Sequence, residues 1–180
     1  MAASDNNPDA RPPAERSGCL SASELRERLD EEINRAERHD TQLSCLLVTI
    51  GNLTELAYEL SEQTLAYVAR ALAAQVRGFD RVGRPSDDEL LLILPGADSP
   101  RGEVVARRVL ERLRTIKVEA DGSRRPLRIS VGLAVWQAGL SADELLEQAR
   151  LAGALGNGAE TASGLSNSSP PVLGRPNGPA

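Results

Sequence analysis

Two runs in this chain leave little choice of fold. Leu43–Ile50 reads LSCLLVTI, and Glu89–Pro95 reads ELLLILP. Neither has the 3.6-residue period of an amphipathic helix. Their length and their branched residues favour strands. Strands this apolar are buried on both faces, so the sheet they build needs helices on each side.

The rest of the chain supplies those helices. In SASELRERLDEEINRAERH, Leu25, Leu29, Ile33 and Ala36 recur at helical spacing. Ser21 or Ser23 caps this helix, and Glu24 completes a capping box with Ser21. In SEQTLAYVARALAAQVRG the stripe is Leu65, Val68, Leu72 and Val76, with Ser61 as cap and Gly78 as stop. A third helix, SPRGEVVARRVLERLRTI, has Ser99 as N-cap and Pro100 at its first position. The last, SADELLEQARLAGAL, starts from Ser141 with Glu144 at the box position.

DRVGR pairs with ELLLILP as a hairpin. IKVEA is a weak strand, DGSRRP a turn, and LRISVGLAVW a strand entering the core. The order is α β α, hairpin, α β β α. It predicts an α+β fold: a central, mostly antiparallel five-stranded sheet flanked by helices. Residues 1–20 are rich in Pro, Asp, Asn and Ala and read as a disordered leader. Residues 157–180 are a Gly/Ser/Pro-rich tail, which leaves 21–156 as the folded domain.

Charge narrows the function. The net charge is -5, with a pI of about 5.1, which argues against a general nucleic-acid or membrane-surface binder. Twenty of the 21 basic residues are Arg, and Lys117 is the one Lys. Two cysteines, Cys19 and Cys45, make no disulfide framework, and Cys45 reads as a small buried apolar residue. The N-terminus has no apolar signal region, and no apolar run approaches the ~20 residues that span a bilayer, so a cytoplasmic location is expected. His39 reads as a helix C-terminal cap, and Phe79 and Trp136 as packing residues. No Ser has His and Asp partners in a triad order.

With these local sequences, the element order resembles the GGDEF domain of diguanylate cyclases. That family condenses two GTP into cyclic di-GMP on a palm-like sheet shared with nucleotidyl cyclases. The likeness runs through LRERLDEEINRAERHDTQLSCLLVTI, VARALAAQVRGFDRVGR, ELLLILPGAD, ARRVLERLR, ISVGLAV and SADELLEQARLA, about residues 24–156. The signature falls on Ser86-Asp87-Asp88-Glu89-Leu90, where only the third and fourth letters survive. The family's two glycines let backbone approach the nucleotide, which a Cβ prevents. Asp87 also brings a negative charge beside a triphosphate, a repulsion of roughly 1–4 kcal/mol per charge pair at ~4 Å.

Other parts of the family's apparatus are altered. Thr49 stands where the first metal carboxylate belongs, and Gly51 replaces the second acid. Asp88 alone would hold Mg²⁺ poorly. The guanine-reading Asn and Asp have no clear counterparts in LTELAYELSEQTL. The phosphate-contacting Lys of the last helix finds no basic residue in LAGALGNG. The resemblance therefore implies loss of GTP condensation, no catalytic residues and no resident metal, with Mg²⁺ relevant only to residual GTP binding.

Five residues ahead of the signature, the family often carries R-x-x-D, a product-inhibition site for cyclic di-GMP. Here it reads Arg77-Gly78-Phe79-Asp80, and Arg108 falls at the family's further Arg on the following helix. An Arg fork suits guanine O6 and N7, and a carboxylate suits the guanine N1–H and N2–H₂ edge. The plainer reading is that Arg77 and Asp80 balance a helix end and that Arg108 belongs to a solvated helix face. Three functions stay open: a cyclic di-GMP receptor signalling to a protein partner or through a homodimer, a nucleotide-independent interaction module, and a residual nucleotide cyclase.

Overall fold

The computed structural model describes residues 19–156. The expected leader, up to residue 18, and the expected tail from 157 lie outside the described residues. The elements are α1 (Ala22–His39), β1 (Leu43–Ile50), a short 3₁₀ turn (Leu53–Glu55), α2 (Tyr58–Ala73), β2 (Arg81–Ser86), β3 (Glu89–Pro95), α3 (Ser99–Arg114), β4 (Lys117–Ala120), β5 (Ser123–Pro126), β6 (Ile129–Val135) and α4 (Ala142–Gly156).

The main sheet has four strands in the order β2-β3-β1-β6, all antiparallel. The expected five-stranded sheet is corrected here: β4 and β5 form their own two-stranded sheet. The missed strand is SRRP, inside the expected turn. Its four residues are all exposed, so no apolar pattern marks it. Asp121 and Gly122, at φ 52° and 72°, make the tight turn that joins β4 to β5.

β1 and β3 sit at the centre, buried on both faces as their composition requires. Leu46, Val48, Ile50, Leu90, Leu92 and Leu94 point to one side, where Leu65, Val68 and Leu72 of α2 and Val109 and Leu113 of α3 cover them. Cys45, Leu47, Leu91 and Ile93 point to the other, against Leu25 and Leu29 of α1 and Leu145 and Ala149 of α4. α4 lies on the sheet almost without clearance. A Cβ on Gly132 would stand 1.9 Å from the Ala149 carbonyl oxygen and 2.5 Å from the Gly153 nitrogen.

Capping follows the sequence at two helices and departs from it at two. Ser21 accepts from the Glu24 N–H while Glu24 accepts from the Ser21 N–H, and Ser141 and Glu144 repeat this box at α4. α2, however, begins at Tyr58 with no side-chain cap. Ser61 lies one turn in, donates to the Tyr58 carbonyl, and the helix ends at Ala73 rather than Gly78. The cap of α3 is Asp98, which accepts from the Arg101 N–H at 3.0 Å, so Ser99 is the first helical residue. At the end of α1, His39 closes the last turn, and Asp40 takes the left-handed conformation at φ 50°.

The expected leader ends in ordered chain. Leu20 bridges Gly83 in parallel, donating to the Val82 carbonyl and accepting from the Arg84 N–H, both at 2.9 Å. Among the described residues no helix is long and apolar enough to cross a membrane.

Candidate functional site

The signature segment is a two-residue turn, Asp87-Asp88, between Ser86 and Glu89, which pair across the hairpin. Neither Asp has a positive φ, so the turn carries no backbone strain without glycine. The β1–β3 and β1–β6 registers set Glu89 and Ser130 on either side of Thr49, on the face that α4 covers.

Two Arg–carboxylate forks fix the turn. Arg84 in β2 donates to both Glu62 oxygens of α2, at 2.7 and 2.8 Å, and to the carbonyls of Ser86 and Asp87. It also reaches the Asp87 carboxylate at 3.3 Å. From the opposite side, Arg150 of α4 donates to Glu89 Oε1 at 2.9 Å and Oε2 at 2.7 Å. Arg150 is therefore a basic residue of the last helix that faces the signature, although LAGALGNG itself carries none. It stands directly before LAGALGNG in the chain. Ser86 Oγ lies 2.9 Å from Glu89 Oε2 and 3.1 Å from Asp88 Oδ1, and its single proton serves one of them at a time. The bonds from Arg150 hold Glu89 below the ordinary carboxylate range, against burial, which pushes it up. Leu90, the last letter of the signature, is wholly buried core.

This donor set does not fit Mg²⁺. Both oxygens of Glu89 are committed to a guanidinium, Thr49 offers a neutral hydroxyl, and Asp88 remains a single carboxylate. Among the described residues, no three of His, Cys, Asp and Glu gather as a metal cluster would.

Arg77, Asp80 and Arg108 come together elsewhere. All three line one cavity of about 280 Å³, between the segment after α2, the end of β3 and the outer face of α3. Asp80 Oδ2 accepts from the Arg77 N–H at 2.8 Å, which closes the turn into β2. Burial pushes the Asp80 carboxyl up, opposed by that hydrogen bond and by the charges of Arg77 and Arg81. Arg108 donates to the Gln75 carbonyl at 3.2 Å, so α3 leans its guanidinium across the cavity. Val104, Val105, Leu94 and Pro100 give the wall its apolar part, and Arg101 adds a third guanidinium that no R-x-x-D pattern signals. Phe79 is exposed rather than packed in the core, with the Arg77 guanidinium 5.8 Å from its ring centroid. Trp136 is packed as expected, its Nε1–H donating to the Leu140 carbonyl.

The fold, with its signature turn between β2 and β3, is that of GGDEF-type cyclase domains. The model of the family described as diguanylate cyclase, GGDEF domain, matches residues 21–154, and the chain belongs to that family. It is similar to the probable diguanylate cyclase DgcC of Escherichia coli, with 26% identity over 110 residues. That match takes in 59% of this chain and 29% of DgcC, so the chain spans under a third of its curated relative. Among solved structures it resembles the diguanylate cyclase SiaD of Pseudomonas aeruginosa in complex with its activator SiaC, at TM-score 0.69 and 25% identity, covering 76% of this chain and 54% of SiaD. It also resembles the GGDEF domain of DgcB from Caulobacter crescentus in complex with c-di-GMP. That match has TM-score 0.71 and 16% identity over 78% of this chain and 86% of that one, and shows the fold alone.

Proposed function

We propose that this GGDEF domain is a cytoplasmic receptor for cyclic di-GMP that no longer condenses GTP. The observation that carries the reading is the meeting of Arg77 and Asp80, from the turn after α2, with Arg108 of α3 at one open cavity. Two guanidiniums suit the guanine acceptor edge, a base face or a phosphate, and Asp80 suits the guanine donor edge. Only Oδ2 of Asp80 is engaged by backbone, which leaves Oδ1 for a ligand. The DgcB domain holds the same dinucleotide on the same fold.

Loss of turnover is supported at the other site. Glu89 is neutralised by Arg150, Thr49 is the neighbour across the strand, and Ser86 and Asp87 fill the glycine positions. Bound dinucleotide then biases a protein contact, as a module of the kind SiaD represents in its complex with an activator.

Isothermal titration with cyclic di-GMP, and separately with GTP and Mg²⁺, tests the reading. Micromolar binding of cyclic di-GMP, lost in Arg77→Ala and weakened roughly tenfold in Arg108→Ala, is expected. No binding of cyclic di-GMP would favour a nucleotide-independent interaction module. Cyclic di-GMP formed from GTP would overturn the loss of turnover.

A further inference from the structure

A second concavity lies across α2 from the signature turn. It is a groove of about 610 Å³ between α2, the C-terminal end of α3 and the β4–β5 hairpin. Leu60, Thr64 and Tyr67 face it at i, i+4 and i+7, whereas Glu62 reaches Arg84 from another side of the helix. The opposite wall carries Arg112, Lys117 and Arg124. Arg124 has only a stretched contact, 4.0 Å, with exposed Glu119. Arg112 and Lys117 have no carboxylate partner among the described residues. Glu119 lines the same groove, so three cations against one carboxylate leave it a positive field in a chain of net charge -5.

The groove is also equipped for more than charge. Thr64 is 6% exposed, and its hydroxyl, which makes no hydrogen bond among the described residues, is not sealed off, so a ligand in the groove can bond it. The ring of Tyr67 is 47% exposed, beside the apolar strip of Leu60, Ile116 and Val118. A flat apolar surface next to a hydroxyl and a cation cluster matches a base, a sugar and phosphates in turn.

We propose that this groove binds a nucleoside phosphate, with the phosphates on Arg112, Lys117 and Arg124, a sugar or base edge on Thr64, and the base against Tyr67. The site shares no residue with the Arg77 cavity, so the two readings stand or fall separately. The full chain is titrated with ATP and GTP without metal, and with tripolyphosphate and adenosine as part-ligands. Both nucleotides should bind. Arg112→Gln/Lys117→Gln should weaken them at least about tenfold. Tyr67→Leu should weaken the nucleotides roughly tenfold and leave tripolyphosphate unchanged. Arg77→Ala should leave nucleotide binding as it was. These exposed substitutions are checked for folding by circular dichroism melts. Binding that survives Arg112→Gln/Lys117→Gln, or no nucleotide binding at all, overturns the proposal. Tripolyphosphate binding as tightly as ATP overturns the nucleoside part of it.

Discussion

Arg150→Ala tests whether the signature turn is held as a strut between helices. The Glu89 side chain is 11% exposed and takes bonds of 2.9 and 2.7 Å from Arg150. Truncation leaves that carboxylate with the Ser86 hydroxyl alone. Breaking a fully buried pair from one side costs about 3–5 kcal/mol, and an exposed pair is worth about 0–1 kcal/mol. Arg150 is 38% exposed, so water takes part of its place, and the expected loss at neutral pH is about 2 kcal/mol, or about 6–8 °C in melting temperature.

The pH dependence separates this from a simple packing defect. Arg150 holds Glu89 below its ordinary value of 4.5. A depressed folded-state pKa gives stability that is present above the unfolded value and lost as pH falls through the folded one. In Arg150→Ala, burial is the larger influence left and lifts Glu89 instead, so the variant regains ground as Glu89 protonates. The gap between wild type and variant should be full at neutral pH and smaller at a pH below 4.5, where Glu89 of the variant is protonated and that of the wild type begins to be. Urea unfolding followed by circular dichroism measures both. Glu89→Gln in the Arg150→Ala background should recover part of the loss by removing the stranded charge. A gap below about 0.5 kcal/mol at neutral pH, or one equal at both pH values, refutes the reasoning.

Three further outcomes are expected. Gly132→Ala drives a methyl into the backbone of α4, 1.9 Å from a carbonyl oxygen, and should cost about 3 kcal/mol or more, read as loss of a cooperative melt. Burial pushes the Cys19 thiol up to about 11 and Cys45 to about 12, so both should resist iodoacetamide at neutral pH until denaturant is added; fast native labelling of Cys45 would contradict its place in the core. Burial raises the Asp80 carboxyl, so affinity for cyclic di-GMP should begin to fall at a pH above its ordinary value of 3.8 as the solution is acidified, and Asp80→Asn should bind weakly at every pH.

What could be read from the chain was what is local or strongly periodic. The capping boxes of Ser21 and Ser141 need only four residues each, and β1 and β3 announce themselves by composition. Ser61 and Ser99 mislead because each Ser is a competent cap, and the choice of helix start was made elsewhere, by Asp98 for α3 and by the short turn at Leu53–Glu55 before α2. The R-x-x-D register singled out Arg77 and Asp80, the family's further Arg singled out Arg108, and the three line one cavity. Arg150 escaped notice because its partner lies 61 residues away, a distance no local pattern spans. Glu62 was hidden in the same way, 22 residues from Arg84.

The two forks on the signature turn tie its residues to one another. Restoring glycine at Ser86 and Asp87 would free the Asp87 contact with Arg84, yet Glu89 would still be held by Arg150 and faced by Thr49. Changing Arg150 first would strand a buried charge, and changing Thr49 to an acid first would set a second carboxylate directly across from Glu89. A single change at Arg150 or at Thr49 is thus uphill while the other residues of the turn stay as they are. Coupling of this kind makes the effect of a substitution at one of these positions depend on what stands at the other.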